Sequence, residues 1–186
     1  VLLDNDQQKL KTYGEISREL SRRLDPDLTF EVTSDARAAL TGVDYIITTI
    51  RAGGDAGRLF DEQTCLAHGV LGQETTGAGG FAMAIRSVPT LVYYCTLARE
   101  VANPGHLIFN FTNPSGIITQ ALRSKGFDNV YGICDAPSGF IKQLEEILEI
   151  PYGTLDIECY GLNHLSWFRN AKVNGRDVQR ELLDNP

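Results

Sequence analysis

Short runs of apolar, β-branched residues alternate along the chain with longer stretches whose apolar positions recur every three or four residues. That alternation predicts an α/β domain with a mainly parallel sheet and helices on both faces. Val1–Leu3 reads as a strand ending on Asp4, and Lys9–Leu24 as a helix closing on the basic SRRL. Phe30–Val32 reads as a short strand, and Ser34–Leu40 as a short helix with Ser34 as its cap. VDYIITTI, Val43–Ile50, is almost wholly apolar and β-branched, as expected of a parallel strand buried on both faces. Two glycine-rich polar loops follow, RAGGDAGRLFDEQ and GVLGQETTGAGG. The second leads into a helix over Phe81–Val101, with a kink expected at Pro89. Leu107–Phe111 and Val130–Cys134 read as strands, each followed by a helix, Pro114–Ser124 and Pro137–Leu148. After Tyr152 the pattern changes to longer strands, Leu155–Tyr160 and Ser166–Val173, with VNGRD as a hairpin-type turn. The change divides the chain into a first domain, 1–150, and the beginning of a second, α+β domain, 151–186.

Composition narrows the partners. The 186 residues are 42% hydrophobic and 22% charged, ordinary for a soluble globular protein. A net charge of −7 and a pI of about 4.9 argue against a nucleic-acid surface. An anionic ligand would have to be held by a few local cations. No apolar run approaches the ~20 residues of a membrane helix, and the opening VLLDNDQQKL lacks the basic and apolar segments of a signal peptide. The four cysteines are widely spaced without a CxxC pair, which reads as cytosolic thiols and not a disulfide framework. The expectation is a cytoplasmic protein with neither nucleic-acid nor membrane partner. Because the chain opens inside a core strand, residues are expected to precede Val1.

Ligands of doubly wound sheets sit beyond the carboxyl ends of the strands. Four polar residues fall there: Asp4, Arg51, Asn113 and Asp135. Asp4 suits the acid that binds the adenosine ribose in a dinucleotide fold; capping the next helix is the plain alternative. The glycine-rich turn that would precede it lies outside the chain. In YGICDAPSG, Cys134 and Asp135 are either a buried thiol with a turn-forming Asp or a metal ligand beside an acid. Cys134 and His164 are a weak metal pair by spacing alone.

VLLDNDQQKLK, IITTIRAGG and LIFNFTNPSG resemble the NAD domain shared by the lactate and malate dehydrogenases and the family 4 glycoside hydrolases. GGDAGRLFDEQTCLAHGVLGQETTGAGGFAMAIRSVP, ICDAPSG and YGLNHLSWF resemble the family 4 hydrolases alone. The resemblance covers essentially the whole chain. It implies a Rossmann-type sheet over 1–150 that lacks its first strand, followed by a truncated substrate domain. It implies NAD, bound through Asp4, Thr49 and Arg51. It implies a divalent ion, usually Mn²⁺, on Cys134 of the C-[DN]-x-P motif and His164 of G-L-N-H, a donor pair suited to a borderline transition metal. Asp135 is then the acid that protonates the leaving group, and Arg58, Asn113 and Asn163 are substrate contacts. A plain surface arginine paired with Asp61 or Glu62 is the alternative for Arg58. Glu74 and Arg86 flank the second glycine loop, and Arg86 is a further candidate phosphate contact.

The implied activity is hydrolysis of 6-phospho-glucosides by NAD-dependent redox elimination: hydride abstraction at C3, deprotonation at C2 and loss of the C1 substituent. The implied partner is a small phosphorylated disaccharide or glucoside, and the implied assembly a homodimer or homotetramer. The base, a tyrosine in the family, is expected beyond residue 186. The Cys-Asp dipeptide resembles the 6-phospho-α-glucosidases. The longer flanking text, QETTGAGGFAMAIRSVP and NFTNPSGIITQAL, resembles the 6-phospho-β-glucosidases and is given more weight. Two other classes stay open. A 2-hydroxy acid dehydrogenase would need a catalytic histidine, and none of the three histidines stands in such a motif. The other is a non-catalytic module that binds NAD or sugar phosphates.

Overall fold

The computed structural model describes residues 1–25 and 27–184. Strand β1 (Leu2–Leu3) pairs in parallel with β2 (Val32–Thr33) through helix α1 (Gln7–Leu24). Strands β3 (Tyr45–Thr48), β4 (Leu107–Asn110) and β5 (Val130–Gly132) form a second parallel sheet in the order β3-β4-β5. Helices α2 (Ala36–Leu40), α3 (Gly54–Ala67), α4 (Gly77–Val101) and α5 (Ser115–Ser124) make the connections, and α6 (Ala136–Ile147) follows β5. An antiparallel sheet of β6 (Leu155–Leu162), β7 (Leu165–Val173) and β8 (Arg176–Asp177) comes next, then α7 (Gln179–Leu183). The α/β architecture and the change of pattern after Tyr152 are as expected from the sequence.

The main core lies between the β3-β4-β5 sheet and α2, α4 and α5, with Leu40, Leu91, Cys95, Ile108, Ile118, Leu122 and Val130 at its centre. Helix α4 is long and apolar enough to cross a membrane by composition alone. Here its Leu91, Cys95, Leu97 and Ala98 are buried in that core. A smaller core joins Leu155, Ala171 and Val178 to Ile141 and Leu144 of α6 and to its C-cap Leu148. Helix α6 therefore packs with the antiparallel sheet.

Four local expectations are corrected. Helix α2 is capped by Asp35, not Ser34: Asp35 Oδ1 accepts from Arg37 N at 2.9 Å and Ala38 N at 3.1 Å, a geometry the carboxylate reaches from the Ncap position. Strand β3 is not buried on both faces, since Tyr45 is 70% and Ile47 66% exposed. The helices pack on the side that carries Ile46 and Ile108. Most of RAGGDAGRLFDEQ is helical, because α3 begins at Gly54, directly after the left-handed Gly53 (φ 86°). Helix α4 likewise starts at Gly77, inside the second glycine loop, and runs through Pro89. Its first turn needs glycine because a Cβ on Gly79 would stand 2.5 Å from Gln73 O, and one on Gly80 2.7 Å from Thr75 C.

One buried side chain joins the strand ends. The carboxamide of Asn110, at the end of β4, accepts at Oδ1 from Thr48 Oγ1 at 3.0 Å and from Thr112 N at 3.2 Å. Its Nδ2 donates to Thr119 Oγ1 at 3.1 Å and to the carbonyls of Ser115 and Thr112 at 3.3 and 3.4 Å. Asn110→Leu keeps the volume roughly and strands those partners in the core. It is expected to cost about 3 kcal/mol or more in denaturant unfolding, whereas Gln120→Ala on the exposed face of α5 stays within about 0.5 kcal/mol. An Asn110→Leu cost as small as the Gln120→Ala one would reject this role.

Candidate functional site

Three candidate residues leave the sheet one position beyond an anchored backbone group. Ile50 N donates to Thr112 Oγ1 at 2.9 Å, and Arg51 follows it. Asn113 lies in the turn between Thr112 and Ser115, with a cis peptide bond to Pro114. Ile133 N donates to Asn110 O at 3.0 Å while Ser115 Oγ donates to Ile133 O at 3.4 Å, and Cys134 follows.

His164 arrives from another direction. Strands β6 and β7 pair through Leu162↔Leu165, so Asn163 and His164 are the two residues of a tight hairpin turn. His164 holds φ 59°, a left-handed conformation uncommon for a non-glycine residue and enriched at functional sites. The hairpin is held to α6 by Glu145, whose buried Oε1 accepts from Thr154 N at 2.9 Å and Leu155 N at 3.0 Å. The result brings Cys134 Sγ to 3.4 Å from His164 Nε2. Two such donors on one ion, with bonds of about 2.3 and 2.1 Å, would lie about 3.1–3.6 Å apart. Among the described residues no group of three or more His, Cys, Asp or Glu side chains surrounds a common point. An ion held by this pair would have two protein donors among the described residues, with its other positions left to ligand oxygens. Thiolate with imidazole suits a borderline transition metal better than Mg²⁺ or Ca²⁺.

Beside Cys134 a cleft of about 600 Å³ is lined by Ser115, Thr119, Cys134, Pro137 and Asn163. Asn163 Oδ1 is buried there without a hydrogen-bond partner among the described residues, which suits an oxygen acceptor awaiting a hydroxyl. Asp135 is exposed beside Cys134, and its carbonyl, not its carboxylate, serves the first turn of α6 by accepting from Gly139 N at 2.8 Å and Ser138 Oγ at 3.0 Å.

A second cluster surrounds Glu74. Its Oε2 accepts from Arg51 Nη1 at 2.7 Å and lies 3.8 Å from Arg58 Nε. Arg58 also pairs with Glu62 at 2.8 Å, and that hydrogen bond, then the charge of Glu74, pushes its guanidinium pKa up. Arg86 is engaged elsewhere, in a bidentate pair with Asp61. Asp4 is not the cap of α1. Asp6 caps it, accepting from Gln8 N and Lys9 N, while Asp4 Oδ1 accepts from Asp6 N at 2.9 Å. Tyr94 of α4 has a raised phenol pKa, first through burial, then through Tyr93 and the charge of Asp4. Thr49 is exposed at the end of β3. Sequence reasoning missed Asn110, Thr112 and Ser115. The available signal was an asparagine at the end of the apolar run LIFN.

The model described as "Family 4 glycosyl hydrolase" matches residues 1–150. The chain is 35% identical to a 6-phospho-beta-glucosidase of Thermotoga maritima over 100% of its own length and 44% of that protein. A 6-phospho-alpha-glucosidase from gut microorganisms, solved with NAD and glucose-6-phosphate, superposes with a TM-score of 0.91 at 32% identity, over 97% of this chain and 42% of that one. The Thermotoga maritima 6-phospho-beta glucosidase solved with manganese, NAD⁺ and glucose-6-phosphate gives 0.88 at 33% identity, over 98% of this chain and 44% of that one. The chain thus spans less than half the length of these relatives.

A metal site on Cys134 and His164 predicts that Mn²⁺ affinity, followed by electron paramagnetic resonance, falls about tenfold or more in Cys134→Ser and in His164→Ala. Bound Mn²⁺ is expected to shield Cys134 from alkylation. Exposed Cys159 goes on reacting, and Cys95, whose thiol burial pushes up to about 11, stays inert. Equal Mn²⁺ affinity in wild type and both variants would reject the site.

Proposed function

The chain belongs to the family 4 glycosyl hydrolases, and from that premise we propose that it is the cofactor- and metal-binding part of an enzyme that hydrolyses 6-phospho-glucosides by NAD-dependent redox elimination. The observation that carries the reading is the approach of Cys134 Sγ to His164 Nε2, 3.4 Å, with the exposed Asp135 next in sequence. Relatives solved with NAD, manganese and glucose-6-phosphate support it. Residues 1–150 are proposed as the NAD-binding domain and 151–186 as the beginning of the substrate domain. A homodimer or homotetramer in the cytoplasm, acting on a phosphorylated disaccharide or glucoside, completes the proposal.

When bound, NAD⁺ supplies reversible hydride acceptance at a sugar carbon, and the divalent ion supplies Lewis-acid polarisation of the adjoining oxygens. The chain's own residues do the rest. Asp4 accepts hydrogen bonds from the adenosine ribose, while Thr49 and Arg51 line the dinucleotide beyond β3. Cys134, as thiolate, and His164, through Nε2, hold the ion. Asp135 donates a proton to the leaving glycosidic oxygen. Arg58 binds the sugar phosphate with charge-assisted hydrogen bonds, and Asn113 and Asn163 receive sugar hydroxyls.

β-Glucosides are the proposed substrates, on the flanking sequence. The Cys134–Asp135 dipeptide favours the α anomer as the second reading. The test uses the full-length polypeptide that carries this chain, with p-nitrophenyl 6-phospho-α- and β-glucosides, each with and without NAD⁺ and Mn²⁺. Release that requires both cofactors, prefers the β anomer and vanishes in Cys134→Ser is expected. Release without NAD⁺ sinks the reading, and an α preference moves it to the second. Asp135→Asn is expected to lower kcat about 10²-fold for a disaccharide phosphate, whose leaving group needs the proton. The loss should be far smaller for p-nitrophenolate, which leaves without it. Equal losses on both substrates would remove Asp135 from this role.

A further inference from the structure

We propose that Arg86, clamped by Asp61, is a positioning residue: its guanidinium is the floor on which the loop between Arg51 and Arg58 rests, and it sets where those two arginines point. The proposal rests on the reading above in that Arg51 and Arg58 meet the cofactor and the substrate. The connection itself is the turn Ala52-Gly53 followed by the glycine-rich first turn of α3, Gly54-Asp55-Ala56-Gly57, whose one polar side chain, Asp55, lies 3.5 Å from Arg51 Nε. Gly53 and Gly54 both lie in the left-handed region, at φ 86° and 61°, where glycine has most freedom to lose. Its internal bonds are few, Gly54 N to Arg51 O and Gly57 N to Gly53 O at 3.0 Å each, so what it lies against helps to set its position.

That surface is Arg86. Its Nε donates to Ala52 O at 3.3 Å. A Cβ on Gly53 would stand 3.1 Å from Nε, and one on Gly57 3.5 Å from Nη2, so the backbone of both glycines lies close against the guanidinium. The guanidinium is fixed from the other side. Nη1 donates to Asp61 Oδ1 at 3.0 Å, Nη2 donates to Asp61 Oδ2, and Met83 Sδ lies 3.6 Å from Nη2. The Asp61 side chain is only 6% exposed, so the clamp is a desolvated bidentate pair. All three nitrogens are engaged with the protein, which argues for a scaffold and against a phosphate ligand. Arg86 and Asp61 lie on α4 and α3, so the pair also fixes those helices to each other. A lysine at 86 keeps the charge but lacks the planar fork that serves Asp61 and Ala52 together.

Two measurements decide the proposal. The first is hydrogen–deuterium exchange of the full-length protein without ligands. In Arg86→Lys and in Asp61→Asn, amides of residues 51–58 are expected to exchange about tenfold faster or more, as local opening becomes easier, while those of the α4 core around Leu97 stay unchanged. The second is glucose 6-phosphate affinity in a double-mutant cycle. Arg86→Lys alone is expected to weaken binding about tenfold, yet the Arg58→Ala/Arg86→Lys double variant binds no more weakly than Arg58→Ala, because both act through one guanidinium. Unchanged exchange in the loop overturns the proposal. Additive losses overturn it too, by making Arg86 an independent ligand. If the wild type binds no sugar phosphate, the proposed function fails instead, and loop exchange alone upholds or overturns the clamp.

Discussion

The site depends on a single desolvated carboxamide. Asn110 sits at the end of an apolar strand, fully buried, and every polar atom of its side chain is used. Burying an amide is costly unless its partners are all present, so these bonds specify one arrangement of the strand ends. Thr48 ties in β3. The carbonyls of Thr112 and Ser115 fix the turn that carries Asn113. Ser115, by bonding to both Asn110 O and Ile133 O, ties in β5. Arg51, Asn113 and Cys134 each begin where this network stops. Their relative placement follows from the network and not from contacts among themselves.

His164, the second half of the Cys134–His164 pair, is placed by an independent device that starts from the same point. Helix α6 begins two residues after Cys134, and its Glu145 grips the first residues of the hairpin through two backbone N–H groups. Charge-assisted bonds to a buried carboxylate are short and directional. The apolar contacts of Leu144 and Leu148 with Leu155 and Ala171 add area to that grip. One helix therefore carries Cys134 at its start and the hairpin on its flank. His164 reaches back from the hairpin turn at the expense of a left-handed backbone. The 3.4 Å separation reports two rigid devices meeting, not a chance neighbour on a loop.

The fold was largely legible before any coordinates because periodicity is a property of the chain: strands of β-branched residues and helices with a three-to-four spacing were readable as such. What stayed illegible depended on tertiary contact. Glycine loops read as loops, yet Gly54–Gly57 and Gly77–Gly80 are helical turns; at Gly79 and Gly80 glycine lets backbone approach backbone, and at Gly57 it leaves room for Arg86. Tyr45 and Ile47 read as core, because alternation cannot reveal which face a helix will cover. Residues at strand ends were legible as a site through topology. The Cys134–His164 pairing was legible only through the motifs of a family resemblance, since spacing alone cannot show the hairpin folding over α6. Asn110 was passed over because a lone asparagine in an apolar run carries no spacing signal.

The arginine cluster also shows how a protein of net charge −7 can prepare an anion site. Arg51 and Arg58 are both faced by the carboxylate of Glu74, and Arg58 by Glu62 as well. Unpaired guanidinium groups in a half-buried pocket would be costly to hold in place. The carboxylates remove that cost in the absence of ligand and keep the side chains extended toward one point. On the proposed reading, a phosphate entering this cluster exchanges carboxylate oxygens for its own. Part of the Coulombic attraction at Arg58 is then given up, and the net gain falls below that of a free arginine. What remains is geometric, because a dianion with three oxygens can satisfy the Arg58 fork bidentately where Glu74 offers it one oxygen at 3.8 Å. Discrimination for a phosphorylated sugar over a neutral one then comes from shape as well as charge, provided the loop between the two arginines holds still.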